Sequence, residues 1–277
     1  MSDTGTSLYL SRLLLDPNCR QVRSELAHPY EMHRTVMHAF DRYSVSDGER
    51  KREKFNVLFR ADEDDLNGHV ILYVQSTVEP DWVYLCEKDG YLVENTNQPN
   101  PACKNVEALY QNLCKGQELS FYLRANPTKR IAKPKRGDDS LIGKRVALLH
   151  EEEQMAWLIR KGQEREAGCP GGFEILTKQI TQEHGKAGQI VLVHAAPEGK
   201  QIGLKRDEKR DYRMTHLAVR YNGLLRITNT DDFRNTIVRG LGSGKAFGFG
   251  LLSVRKVTPN PSAVASCSSS ALKIGEQ

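Results

Sequence analysis

At 277 residues, with 39% hydrophobic and 27% charged residues, the chain can bury a sizeable core, and its length favours two modest domains over one large one. No apolar run approaches the 18 or so residues that cross a bilayer, and the six cysteines (Cys19, Cys86, Cys103, Cys114, Cys169 and Cys267) show no Cys-x-x-Cys and no His cluster at metal-ligand spacing. A membrane partner, a disulfide framework and a zinc site are therefore not expected, and the thiols fit the reducing cytoplasm.

The net charge of +5 is mild, yet basic residues concentrate in two stretches. One holds Arg124, Lys129, Arg130, Lys133, Lys135, Arg136, Lys144 and Arg145; the other holds Lys200, Lys205, Arg206, Lys209, Arg210 and Arg213. Such clusters suit a phosphate backbone, although either one alone fits a solvated loop equally well.

In chain order, Ser7 to Leu15 reads as a first strand, followed by an Asp16-Pro17-Asn18 turn. Leu13 to Leu15 lacks a following small-residue cleavage pattern, so no signal peptide is expected. A helix is expected from Pro29 to about Tyr43, because proline suits the first helical position and Met32, Val36 and Phe40 recur at helical spacing. Tyr30 and His33 stand three apart on its first turn, with His33 at the edge of the apolar stripe. The positive helix end biases an imidazole there toward its neutral, base-competent form. Such a pair serves packing and capping more often than chemistry. After a polar loop over Ser44 to Lys54, strands are expected at Phe55 to Arg60 and His69 to Val78, a helix at Lys104 to Cys114 and a strand at Glu118 to Arg124. The order is β-α-β-β-α-β, the ferredoxin-like unit that also underlies the RNA-recognition motif.

The segment 126–145 reads as a basic linker or exposed loop broken by Pro134 and Gly137. Beyond it the pattern predicts a strand at Val146 to Leu149, a helix opening at Glu151-Glu152-Glu153 and ending near Gly168, and strands at Phe173 to Ile180 and Ile190 to Ala195. A long basic hairpin is expected between His194 and Met214. Asn222-Gly223 signals a tight hairpin between Thr215 to Tyr221 and Leu224 to Ile227, and Thr230 is placed to cap a short helix over Asp231 to Arg239. A Gly-rich run, Gly240 to Gly250, precedes a last strand at Leu251 to Val257. The expected organisation is α+β, with two tandem ferredoxin-like (RRM-like) βαββαβ domains over 1–125 and 146–257, and a disordered tail over 258–277.

Gly240-Leu-Gly242-Ser-Gly244-Lys245-Ala-Phe-Gly248-Phe-Gly250 is neither a Walker A loop nor a dinucleotide fingerprint, because Arg239, Ala246 and Phe247 stand where those motifs need other residues. Dense glycine beside a lysine lets backbone N–H groups approach a phosphate, or lets a neighbouring chain pack on the main chain. Four separated segments carry a more specific signal: Pro29-Tyr30-Glu31-Met32-His33-Arg34, Leu123-Arg124-Ala125-Asn126-Pro127, Ala156-Trp157-Leu158, and the Gly242-Ser-Gly244-Lys245-Ala ending that runs to Ser253. Together, over roughly residues 8 to 257, they resemble the CRISPR-associated precursor-RNA endoribonucleases of the type I-E system, the CasE subunits of Cascade. Ser243 departs from the proline expected there in that family.

The resemblance implies cleavage of a CRISPR repeat transcript on the 3′ side of a stem-loop without metal or cofactor. It further implies retention of the guide RNA and assembly with other Cascade subunits, in a prokaryotic cytoplasm. In such a reaction the ribose 2′-OH is the nucleophile, so the protein must supply a base, an acid for the 5′-oxygen and positive charge for the phosphorane. His33 is the expected acid/base, with Tyr30 in support. Lys129, Arg130, Lys133, Lys135, Arg136, Lys205, Arg206, Lys209, Arg210, Gly242, Gly244 and Lys245 are the expected RNA contacts. The competing expectation is a non-catalytic double-ferredoxin subunit that only holds an RNA hairpin.

Overall fold

In the computed structural model, the described residues are 7–64, 67–94, 96–132, 142–163, 171–181, 187–207 and 210–257. Lys133, Lys135, Arg136 and Lys209 and the tail 258–277 lie outside them.

The first sheet is built from β1 (Tyr9–Leu15), β2 (Leu58–Asp64), β3 (His69–Ser76) and β4 (Ala102–Asn105), in the antiparallel order β4-β1-β3-β2. Leu13 and Leu15 of β1 and Val70, Leu72 and Val74 of β3 point to a core closed by two helices, α1 (Arg20–Ala27) and α2 (Pro29–His38). Only α2 is the helix expected from Pro29; α1, ahead of it, was not expected. Pro29 opens α2 and, by disfavouring helical geometry at the residue before it, breaks the chain at His28 (φ −126°, ψ 79°), so that Arg20–Ala27 forms a separate helix. At the other end α2 stops at His38, and residues 39–43 continue as tight i→i−3 turns. Met32, Val36 and Phe40 are buried as their spacing predicts. Residues 51–54, expected as loop, form a single helical turn, α3 (Lys51–Lys54), and the second crossover is reduced to another, α4 (Val83–Cys86). The helix expected over 104–114 shrinks to α5 (Glu107–Gln111), because Ala102 to Asn105 pair with the edge of β1 instead.

The second sheet contains β5 (Glu118–Ala125), β11 (Val193–Asp207), β12 (Arg210–Ile227) and β13 (Leu252–Lys256), in the order β13-β5-β12-β11. Counted in its own strands, each sheet thus runs 4-1-3-2, the ferredoxin-like order. The strand at Glu118, expected to close the first unit, opens the second: it lies between β12 and β13 and buries Leu119, Phe121, Leu123 and Ala125 in the second core. Its alternation was legible, but alternation does not say which sheet a strand joins. Two short strands, β6 (Thr128–Arg130) and β7 (Arg145–Ala147), pair as a ribbon off both sheets. Then α6 (Glu151–Gly162) and α7 (Thr230–Arg239) cover the second sheet through Trp157, Leu158, Phe233 and Ile237. Between them β8 (Phe173–Ile175) pairs with the end of β12, and β9 (Thr177–Thr181) with β10 (Ala187–Val191).

The hairpin expected at Asn222-Gly223 does not form. β12 runs through both residues unbroken, with Gly223 opposite Val193. A Cβ on Gly223 would come within 2.5 Å of the Leu192 carbonyl, so this glycine answers a close backbone approach rather than a turn. The expected basic hairpin is present as β11 and β12, paired out to Asp207 and Arg210. The α7 cap is Asn229, whose side chain accepts from the Asp231 and Asp232 amides, one residue before the expected Thr230.

Arg60 ties the units together. Only 4% exposed, it donates to both Asp62 carboxylate oxygens (2.8 and 2.9 Å) and to Ser253 Oγ (3.0 Å), and its guanidinium lies 4.2 Å from the Tyr122 ring centre. Gln75 Nε2 adds a bond to the Ile237 carbonyl at 2.9 Å.

Candidate active site

The helix break at His28 sets where α2 begins, and with it where Tyr30 and His33 stand. Their ring centres are 5.8 Å apart. Tyr30 lies 5.8 Å from Phe247, in the 3-10 turn Lys245–Phe247 of the Gly-rich run, and His33 stacks at 6.2 Å on Phe59 of β2. Residues from the first turn of the first unit's main helix therefore meet a loop more than 200 positions away. His28 and His38 stand apart from this meeting, the one bonded to the Ser24 carbonyl (3.0 Å) and the other to Asp41 (2.9 Å).

Burial dominates the electrostatics of His33. Desolvation, and then the nearby Arg52 charge, push its pKa from 6.5 down to about 4. The ring is neutral at pH 7, as the sequence suggests, with burial rather than the helix dipole as the leading cause. Its Nδ1 is buried and has no hydrogen-bond partner among the described residues. A buried polar atom left unpaired is costly, and it is ready to accept a proton or a bond from an arriving group.

Lys245 is also shifted, from 10.5 down to about 8, first by burial and then by the like charges of Arg52, Lys161 and Arg239, with Glu53 opposing. Cations from α3, α6 and α7 thus act on the Lys245 ammonium of the loop, the kind of positive convergence that suits a polyanion. Arg52, Lys161 and Arg239 belong to neither basic stretch of the sequence. Arg52 lies in a segment that reads as loop, and nothing local marks it.

The loop is shaped by glycine. Gly244 (φ 80°) turns the chain where a Cβ would come within 3.0 Å of Phe249, and at Gly250 (φ 93°) a Cβ would stand 2.7 Å from the Leu241 carbonyl. Gly242 packs against Trp157 of α6. The amides of Phe247, Gly248 and Gly250 already bond to carbonyls of Gly244, Lys245 and Arg124, so packing on neighbouring main chain accounts for much of the glycine. Ser243 forms a bridge with Asn126 and stands 3.5 Å from Thr128 Oγ1.

The other expected RNA contacts are spread out. Lys129 and Arg130 lie on β6, where Lys129 is paired with Glu153 at 2.6 Å. Lys205, Arg206 and Arg210 lie near the end of the β11/β12 hairpin, away from α2 in sequence and on a different element.

The family model for CRISPR associated protein matches residues 8–256. The chain is 34% identical over 249 residues to the CRISPR-associated endoribonuclease Cse3 of Thermus thermophilus, covering 89% of this chain and 99% of that protein. It is 31% identical over 142 residues to the CRISPR system Cascade subunit CasE of Escherichia coli, covering 50% of this chain and 58% of that one. The solved structure of Thermus thermophilus Cse3 bound to an RNA representing a pre-cleavage complex superposes with a TM-score of 0.61 at 32% identity, over 90% of this chain and 99% of that one.

Proposed function

This chain belongs to the CRISPR-associated protein family as one of its RNA-processing endoribonucleases, and from that premise we propose that it cuts CRISPR repeat transcripts at the 3′ base of a stem-loop with His33 as the general base. The observation that carries the assignment is the neutral, desolvated imidazole with an unpartnered Nδ1, held by Tyr30 and Phe59 beside a cluster of cations. His33 removes the proton of the ribose 2′-OH. The 2′-oxygen attacks phosphorus, the bond to the 5′-oxygen breaks, and that oxygen leaves as a hydroxyl by taking a proton from water, while the His33 imidazolium, well above its pKa of about 4 at neutral pH, returns its proton to solvent. The products are a 2′,3′-cyclic phosphate and a 5′-OH, and no metal is needed to form the nucleophile.

Lys245 and Arg52 offset the charge that builds on the phosphorane, with Tyr30 positioning the imidazole. The β11/β12 hairpin with Lys205, Arg206, Lys209 and Arg210, and the 126–145 segment with Lys129, Arg130, Lys133, Lys135 and Arg136, track the phosphates of the A-form stem, whose deep major groove hides its base edges. The backbone at Gly242 and Gly244 faces the same RNA. By likeness to the Cascade subunit, the chain assembles with other subunits, and in that assembly we place it as keeping its product, in the cytoplasm of a prokaryotic cell.

The test is cleavage of the cognate repeat in EDTA with both ends mapped. His33→Ala keeps RNA affinity and loses on the order of 10²-fold or more in rate. Full activity in that variant, or strict dependence on magnesium, would overturn the mechanism. Stable RNA binding without any cutting by the wild type would favour the hairpin-holding alternative.

A further inference from the structure

A second histidine lies behind the loop. His216 of β12 has its Nδ1 at 2.9 Å from the side-chain nitrogen of Asn126, and Asn126 Oδ1 accepts from the Leu217 amide at 3.3 Å. That second bond orients the Asn126 amide, so its NH2 donates to Nδ1 and the imidazole proton sits on Nε2. Asn126 is 4% exposed and bridges through its backbone to Ser243, in the middle of the Gly-rich run. The His216 ring packs 4.4 Å from Phe247 and 6.0 Å from Phe249. Phe247 is therefore flanked by His216 behind and Tyr30 in front, and Gly203 of β11 leaves the space its ring occupies. Burial lowers the His216 pKa, which keeps the ring in the neutral form that can accept from Asn126.

We propose that His216 is a positioning residue: through its Nδ1 bond to Asn126 it fixes Phe247 and the Lys245 turn against Tyr30 and His33. The imidazole does not touch the reacting atoms in this role. It acts through the loop, and the inference rests on His33 and Lys245 being the reacting constellation.

Two isosteric replacements separate this role from a direct one. Asparagine keeps an acceptor near the position of Nδ1, and glutamine keeps a donor near the position of Nε2. In single-turnover cleavage His216→Asn stays within about threefold of wild type, whereas His216→Gln and Asn126→Ala each lose about tenfold or more. RNA dissociation constants change less than about twofold in all three, and the His216→Gln/Asn126→Ala double variant is no slower than either single one. Amide hydrogen exchange over 240–250 rises in the Gln and Ala variants and not in the Asn variant.

Rescue by glutamine and failure of asparagine would show that Nε2 meets the RNA directly and overturn the proposal. Full rates in all three variants would do the same, as would parallel losses of rate and affinity. If the wild type fails to cut, the endoribonuclease mechanism falls, and hydrogen exchange alone still decides whether the Asn126–His216 pair holds the loop.

Discussion

The shifted pKa values of His33 and Lys245 predict the shape of the pH–rate profile. In the free protein the second-order rate of single-turnover cleavage should rise as His33 loses its proton and fall as Lys245 loses its charge. With His33 at about 4, the acidic limb lies well below the 6.5 of an ordinary histidine. With Lys245 at about 8, roughly nine-tenths of the protein carries the ammonium at pH 7 and roughly one-tenth at pH 9. The profile is then a plateau from about pH 5 to about pH 7.5, with an alkaline limb centred near 8.

The perturbation that assigns the limbs is Lys245→Arg. A guanidinium stays charged beyond pH 12, so the alkaline limb should disappear while the acidic limb stays in place. Arg52→Ala should raise both pKa values, because Arg52 disfavours a proton on each group. The assay is the single-turnover rate with enzyme below its RNA dissociation constant, from pH 3.5 to 10 at fixed salt. An acidic limb at 6.5 would refute a desolvated His33, and an alkaline limb unchanged in Lys245→Arg would remove Lys245 from the chemistry.

The same burial has a cost in stability. Because the folded His33 pKa lies below the unfolded value, the unfolded chain takes up a proton first as pH falls from 6.5 to about 4, and about 3 kcal/mol of stability is lost across that window. Urea unfolding of His33→Asn against wild type at pH 7 and pH 4 checks this: the wild type should lose that much more than the variant. Arg60→Met should cost about 3 kcal/mol, since Asp62 loses the Nε–H shared between its two oxygens and the contact between the sheets loses its clamp; a loss below about 1 kcal/mol would deny Arg60 that role. Gly250→Ala should destabilise by 2 kcal/mol or more, because it combines a φ of 93° with a Cβ 2.7 Å from the Leu241 carbonyl, and an unchanged melting temperature would contradict that strain.

Local patterns in the sequence carried most element types and the apolar faces of the strands; taken alone they made Tyr30 and His33 a packing pair and left the Gly-rich run open, and the resemblance is what singled out both. Helical spacing placed Met32 and Val36 in the core, alternation placed Leu119, Phe121 and Leu123 there, and the resemblance joined two ends of the chain into one enzyme. These are properties of neighbouring residues, or of motifs read whole, and they need no knowledge of what packs against them.

Tertiary structure alone decided the rest. Glu118 to Ala125 could have closed either sheet until hydrogen bonds to β12 and β13 assigned it to the second. Asn222-Gly223 has the composition of a turn, yet the Leu192 carbonyl, which would stand 2.5 Å from a Cβ there, accounts for the glycine. Arg52 and His216 carry no local mark, because what they do depends on partners far along the chain: Lys245 for the first and Asn126, 90 positions away, for the second. Burial is likewise a property of the assembled chain. His33 is an ordinary histidine in sequence, and its pKa falls to about 4 only when the body of the fold, with Tyr30 and Phe59 beside the ring, takes water away from it.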